Sequence, residues 1–409
     1  MPTEHPSSRR LYRGSDMTRA VAIADLKARF HSRVPAAIVE YVEGGADCEI
    51  TLHRNRSAYD GLAFVPRVLR HVGSVDAAAA LFGKRAMLPL AVAPTGFNGL
   101  LWPDGDLALA RAASSAGVPF SQSTVSNVLL EDVARVPGLR HWMQLYVFRN
   151  MEAVERIVRR CIDADCEALI VTVDTSVFGN RTWDKRSYRL GTDLTLNRKL
   201  EALSHAAWMR DWLFRPTPGF ANLIEAIPGG KVDVRNAGQW LRANLDPDLD
   251  WDKISWLRAL WPGKFILKGI MHVEDVILAR NIGVDAVVLS NHGGRQLDTT
   301  FAPVEVLPEI REAAPDIMLL IDGGIRSGSD IAKAIIQGAD GVLTGRSTLY
   351  GLGADGEAGA KRSLAILAEE LKRTMGLLGC ATIEELRAST LVPFEDRAQA
   401  IFTGGPRAC

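Results

Sequence analysis

His292 stands in the run SNHGGRQLD (290–298), an imidazole flanked by glycines and followed three positions later by Arg295. An imidazole can take or give a proton near neutral pH, and a guanidinium can fork onto a carboxylate. Asp174, at the end of ALIVTVD (168–174), is an acid able to orient that imidazole and stabilise its protonated form, as the acid of a triad does. No G-x-S-x-G elbow is present, so a serine nucleophile is excluded. Two glycine-rich runs, IDGGIRSG (321–328) and LTGRS (343–347), offer backbone N–H groups to an anion and add the cations Arg326 and Arg346. Lys268 ends FILKG (265–269); it suits either a Schiff base or a fixed positive charge beside an electron-rich cofactor, and spacing leaves both open.

These residues share a place in a repeating pattern. Eight short apolar runs, at 88–95, 118–124, 141–147, 168–174, 265–269, 286–294, 317–324 and 341–346, each end in a polar or glycine-rich turn. The stretches between them, such as MEAVERIVRRCIDAD, carry apolar residues at helical spacing. Continuously apolar strands belong in a sheet buried on both faces, and eight β/α units close into an α/β TIM (β/α)8 barrel. Active sites of that fold lie where strands end, and the loops after strands seven and eight commonly cradle phosphate. The strand ends here are Thr95-Gly96, Ser123, Gln144 with Tyr146, Thr172 with Asp174, Lys268, His292 with Arg295, Asp322 to Arg326, and Gly345-Arg346. One mouth thus gathers a histidine, a lysine, acids, arginines and a tyrosine around a phosphate-bearing ligand.

The chain has 409 residues with 48 basic and 48 acidic side chains, and this balance argues against a nucleic-acid binder. Five scattered cysteines without a CxxC pair read as a reduced set with no metal site. No secretory signal and no run of 18 apolar residues is found. Residues 1–85 read as a helical cap, and 86–409 as the barrel with C-terminal helices and an insertion at about 190–250 after strand four. Within it, 200–231 holds Trp208, Trp212, Phe214 and Phe220 among Arg210, Arg215 and Lys231. That mixture suits a lipid headgroup interface, an active-site lid or a subunit contact.

Taken in order, YVEGGAD, QLYV, TVD, SNHGGRQLD, IDGGIRSG and LTGRS resemble the FMN-dependent (S)-2-hydroxy acid oxidase/dehydrogenase family over roughly residues 20–390. PTGFNGLLWPDGDLALARAA resembles its mandelate dehydrogenases, and GQWLRANLDPDLDWDKISW its membrane-bound bacterial lactate dehydrogenases. The resemblance implies oxidation of a small 2-hydroxy acid to the 2-keto acid by an FMN enzyme. His292 would be the base, with Asp174 in support; Arg181 and Arg295 would bind the substrate carboxylate, Tyr41 would add a hydrogen bond to it, and Tyr146 would contact the 2-hydroxyl. Thr95, Gly96, Ser123, Gln144, Thr172 and Ser290 would line FMN, and Lys268 would stand by the flavin N1/C2 carbonyl rather than form a Schiff base. Asp322, Gly323, Gly324, Arg326, Gly345 and Arg346 would hold the ribityl phosphate arm.

Departures from the family pattern carry expectations too. Val125 stands where glycolate oxidases have tryptophan, which opens the pocket to a bulkier substituent. Gly96 replaces the alanine of several oxidases and points to slow reaction with oxygen, and Val39 replaces a tyrosine without derivable consequence. The 200–231 segment resembles the membrane-binding segment of mandelate dehydrogenases, which implies a cytoplasmic protein peripheral on the inner face of the cell membrane, with a quinone as acceptor. An oxygen-dependent oxidase releasing peroxide is the alternative, a homotetramer follows by analogy, and the lack of a haem domain argues against a flavocytochrome.

Overall fold

The computed structural model describes residues 11–187, 195–212, 219–226, 239–241 and 243–394. Eight parallel strands close into a barrel in chain order. They are β1 Leu90–Val92, β2 Phe120–Ser123, β3 His141–Tyr146, β4 Ala168–Thr172, β5 Lys264–Ile270, β6 Ala286–Leu289, β7 Met318–Ile321 and β8 Gly341–Thr344. Each falls within an expected run or overlaps it by a residue or so.

Alternation along the strands positions the chemistry. In β3, Trp142, Gln144 and Tyr146 lie on one face, and their neighbours across β4 are Ala168, Ile170 and Thr172. Trp142, Ala168, Ile170, Ile266, Val288, Leu320 and Leu343 form an apolar plug inside the barrel. One step of two residues further along, the same phase delivers Gln144, Thr172, Lys268, Ser290 and Asp322 to the C-terminal mouth. These polar side chains are buried, Lys268 at 4% exposure. The hairpin Ala79–Leu81/Lys84–Ala86 closes the opposite mouth, with Phe82 edge-on to Trp142 at 5.5 Å.

The outer ring forms where sequence periodicity requires it. In the helix Met151–Asp163, Val154, Ile157, Val158 and Cys161 are buried at helical spacing, and the Asn150 side chain caps the start by accepting from Ala153 N at 3.1 Å.

Helices α1 (Ile23–Arg33), α2 (Ala36–Glu43) and α3 (Ile50–Asp60) precede the barrel, α4 (Gly105–Ser115) follows β1, and α5 (Met151–Asp163) follows β3. The segment before residue 86 serves both barrel ends: α2 and the turn after it reach the catalytic mouth, while the hairpin plugs the other. Leu62–Phe64 also pairs antiparallel with Leu391–Pro393, tying the two ends of the chain together. Between β4 and β5, the insertion contributes α6 (Leu196–Leu203) and α7 (Ala206–Trp212); α8 (Arg346–Leu378) follows β8 and breaks at Asp355 and Gly356.

Docking of the insertion is specific. Trp208 Nε1 donates to Leu100 O at 2.8 Å, Asn127 Nδ2 to Gly219 O at 2.8 Å, and Arg33 pairs with Asp211. Phe220 is 2% exposed and packs on Phe97 at 4.9 Å. The described aromatic residues Trp208 and Phe220 therefore face inward. Among the described residues of the insertion, the large apolar side chains left exposed are Leu196, Leu200 and Leu203 of α6, at 66%, 58% and 62% exposure. Phe214, Arg215 and Lys231 lie outside the described residues.

Candidate active site

The loop after β6 turns sharply into the mouth. His292, Gly293 and Gly294 have consecutive φ values of 57°, 66° and 77°, a left-handed run that glycine adopts freely and histidine only when held. Ser290 Oγ accepts from His292 N at 3.0 Å and fixes the turn. His292 Nδ1 meets Asp174 Oδ1 and Oδ2 at 3.1 and 3.2 Å, which leaves Nε2 facing the mouth. Burial draws the imidazole below its ordinary value of 6.5 and outweighs the pull of Asp174; Lys268 and Arg181 add to the lowering. For Asp174, burial opposes ionisation, but the His292 and Lys268 charges prevail and its carboxyl titrates low. The site therefore holds a neutral imidazole on an ionised acid at neutral pH.

Tyr146 lies among Asp174, Arg181, Tyr41 and Arg295; burial, then the Asp174 charge, raises its phenol and keeps it protonated. Arg181 Nε is buried without a hydrogen-bond partner. Arg295 Nη1 donates to Tyr41 O and Gly44 O, both at 2.7 Å, and its guanidinium lies 5.3 Å from the Tyr41 ring centre. Tyr41 OH reaches Gly96 O at 3.3 Å, and a Cβ on Gly96 would stand 2.5 Å from Val125 Cγ2. Phe97 stacks edge-on to Tyr41 at 5.7 Å and completes an apolar wall with Val125.

A second polar row runs across the barrel floor. Ser123 Oγ donates to Gln144 Oε1 at 3.0 Å, and Gln144 Nε2 donates to Thr172 Oγ1 at 3.0 Å. Lys268 Nζ donates to Ser290 Oγ at 2.8 Å and pairs with Asp322 Oδ2 at 2.7 Å, while Asp322 Oδ1 is buried and unpartnered. Gly323 and Gly324 follow with φ of 90° and 85°, and a Cβ on Gly324 would stand 2.0 Å from Asn55 O. Thr95 Oγ1 donates to Asn98 Oδ1 at 2.9 Å.

Gly345 precedes the first turn of α8 and no side chain caps that end, so its first amides are free of an intrahelical partner. The Arg346 guanidinium donates to Val42 O, Gly293 O, Glu43 O and Gly44 O, so it pins the loops as well as adding charge. Burial, then the charges of Arg295 and Arg326, depresses Arg346 to about 9.

The expected residues described above stand at the strand ends of the C-terminal mouth, and Arg326, in the loop after β7, donates from Nη1 to Ile325 O at 2.8 Å and lies 5.8 Å from the Tyr350 ring centre. Several residues that hold them were not expected. Gln296 Nε2 donates to Asp174 O at 2.6 Å and to Val177 O at 2.9 Å, and Asn55 and Asn291 exchange paired amide hydrogen bonds. Asn98 Nδ2 donates to Asp106 Oδ1 at 2.9 Å. Gln296, Asn291, Asn98 and Asp106 all sit inside the quoted motifs, so the signal was present, but their work is with the backbone and with one another.

The chemistry of this mouth fits FMN and a carboxylate substrate. The Arg346 guanidinium is depressed by burial and by the nearby charges of Arg295 and Arg326, and an anion there would relieve it. The orphaned Asp322 Oδ1 asks for a hydroxyl donor, and the Gly323-Gly324 turn admits no side chain at its second residue. Among the described residues no group of three His, Cys, Asp or Glu side chains could hold a metal.

Comparison with known proteins agrees. The family of FMN-dependent dehydrogenases matches residues 30–393. The chain is 41% identical to a putative L-lactate dehydrogenase of Mycobacterium tuberculosis, across 90% of this chain and 88% of that one. It is 38% identical to the (S)-mandelate dehydrogenase of Pseudomonas putida, across 89% and 92%. A crystal structure of the monotopic membrane protein (S)-mandelate dehydrogenase superposes with a TM-score of 0.87 at 36% identity, covering 92% of this chain and all of that one. A mandelate oxidase with (S)-4-hydroxymandelic acid gives 0.78 at 35% identity, covering 91% and 99%. The chain belongs to the FMN-dependent dehydrogenases and is a TIM-barrel flavoprotein oxidoreductase of 2-hydroxy acids.

Proposed function

We propose that the protein oxidises an (S)-2-hydroxy acid of the mandelate or lactate type to the 2-keto acid and passes the electrons to a membrane quinone. The observation that carries this reading is the His292–Asp174 pair facing Tyr146, Arg181 and Arg295, a base beside a carboxylate clamp. Arg181 and Arg295 hold the substrate carboxylate, with Tyr41 adding a hydrogen bond, and Tyr146 contacts the 2-hydroxyl. His292 Nε2 then accepts the proton the substrate loses, and Asp174 stabilises the resulting imidazolium. Orientation by the two guanidiniums supplies part of the rate, and their charge stabilises developing negative charge.

FMN, when bound, takes up the two electrons. Thr95, Gly96, Ser123, Gln144, Thr172 and Ser290 would line its ring, with Lys268 supplying fixed positive charge. Asp322, Gly323, Gly324, Arg326, Gly345 and Arg346 would hold its phosphate arm. The Lys268–Asp322 ion pair supports the fixed-charge role over a Schiff base. The wall of Tyr41, Phe97 and Val125 favours an aryl substituent over the methyl of lactate.

Membrane attachment is supported by the outward leucines of α6 and by the similarity to a monotopic membrane protein. Among the described residues no helix is long and apolar enough to cross a membrane. The position proposed is peripheral, on the cytoplasmic face of the membrane. A homotetramer remains a proposal by analogy with the family.

The acceptor is tested by reducing the holoenzyme with substrate under argon and mixing it with a short-chain quinone or with oxygenated buffer. Reoxidation at least about tenfold faster with quinone is expected. Faster reoxidation by oxygen, with peroxide released, would make the protein an oxidase instead.

A further inference from the structure

A second ordered cluster lies outside the barrel, toward the end opposite the catalytic mouth. Gln122, on the outward face of β2, donates from Nε2 to Ser126 Oγ at 3.1 Å and to Val128 O at 2.9 Å. A main-chain carbonyl only accepts, so the amide nitrogen is fixed on that side and Oε1 faces His141. His141 Nε2 lies 3.0 Å from Gln122 Oε1 and therefore carries the proton. Nδ1 then presents its lone pair to Cys166 Sγ, 3.4 Å away. Thiol, imidazole and orienting amide stand in the order of an activated-thiol triad.

A second thiol completes the cluster. Cys166 N donates to Cys161 O at 3.0 Å across the C-terminal turn of α5, and both cysteines are free. The Cys161 thiol faces that of Cys166 and, with His141, holds it below the ordinary thiol range against the effect of burial; Cys161 is pushed up. Exposures of 0%, 4% and 7% for Gln122, His141 and Cys166 leave no room for an acyl or peptide substrate. A small oxidant is the reactant of suitable size.

We propose that Cys166 is a peroxide-reactive cysteine and that Cys161 resolves it to an intramolecular disulfide. Cys166 first passes its thiol proton to His141 Nδ1; the thiolate attacks hydrogen peroxide, an S–O bond forms as the O–O bond breaks, and the hydroxide leaving takes that proton back from Nδ1 to become water. The Cys161 sulfur then attacks the sulfenic acid, loses its proton and releases a second water. Two thiols and one peroxide give one disulfide and two waters.

The test is a peroxide titration of the holoenzyme without hydroxy acid, followed by tryptic mapping. Arg160 and Arg181 bound one peptide that contains both cysteines. Loss of two hydrogens from peptide 161–181, before oxidation of the exposed Cys48, is expected. In Cys161→Ser, Cys166 should be trapped by dimedone as the sulfenic acid, and His141→Asn should slow oxidation by about tenfold. Oxidation of Cys48 while peptide 161–181 stays reduced would overturn the proposal, as would a Cys161→Ser protein giving no adduct at Cys166.

Discussion

At the scale of the residue, the site depends on a histidine kept neutral and cations kept charged. Because burial holds His292 below 6.5, it is ready to accept a proton throughout the neutral range. Activity should therefore be flat near pH 7 and fall as pH drops through the depressed value, when the imidazole is already protonated. Stopped-flow flavin reduction against pH checks this, and an acid limb centred above 6.5 would contradict the buried, neutral assignment. His292→Ala should slow flavin reduction by about 10²–10⁴-fold with FMN retained. Arg181→Met should raise the substrate Kd by at least about tenfold, through loss of a charged hydrogen bond, while the FMN Kd stays within a factor of two or so. Equal loss of both would assign Arg181 to the cofactor. His292, Asp174, Arg295, Arg326 and Arg346 were legible in the sequence because their types are costly to place at a strand end without a use, whereas Arg181 and Tyr41 came only from the family resemblance. The occupation of Arg346 by four backbone carbonyls was not, since a carbonyl's position depends on the paths of α2 and of the loop after β6 and not on any residue type.

The elements were legible to a similar degree, and for a stated reason. Most barrel strands are continuous apolar runs, and burial on both faces leaves that mark whatever the loops do, although Phe120–Ser123 buries Ser121, Gln122 and Ser123 instead. The loop after β1 shows where legibility ended. Asp106 reads as an ordinary acid in the first turn of α4, yet it is fully buried, and burial raises it to about 6 despite Asn98, which donates to it. Asn98 in turn binds both the hydroxyl and the carbonyl of Thr95, so the acid holds the loop that carries Thr95, Gly96 and Phe97. Asp106→Asn should shift the flavin absorbance and weaken FMN binding roughly tenfold, consistent with the loss of about 1.5–3 kcal/mol for a charged hydrogen bond. An unchanged spectrum and Kd would show that the loop holds without it.

Across the whole molecule, the insertion and the α2 part of the N-terminal segment converge on the catalytic mouth. Residues before 86 read as a cap, and the structure spreads them over both barrel ends because the hairpin's Leu81 and Ala86 join the interior plug. Composition left the 200–231 segment open to a headgroup interface, a lid or a subunit contact; Trp208 and Phe220 turn inward to dock it, and α6 presents leucines outward. Which side a residue takes depends on partners distant in sequence, Leu100 and Phe97 here, and a local pattern carries no record of them. Replacing Leu196, Leu200 and Leu203 by serine should weaken binding to anionic lipid vesicles by at least about tenfold, since each buried leucine contributes about 1.5–3 kcal/mol. Turnover with a soluble dye should survive. Vesicle binding that persists in this variant would move the contact elsewhere.

The most direct measurement is the visible spectrum of the purified holoenzyme under argon, before and after (S)-mandelate or L-lactate is added. The expected result is a yellow protein whose flavin absorbance bleaches on mixing, faster with mandelate than with lactate. A yellow protein that neither acid bleaches would contradict the proposed substrate class. A chain that remains colourless when FMN is supplied would contradict the reading of the barrel mouth itself.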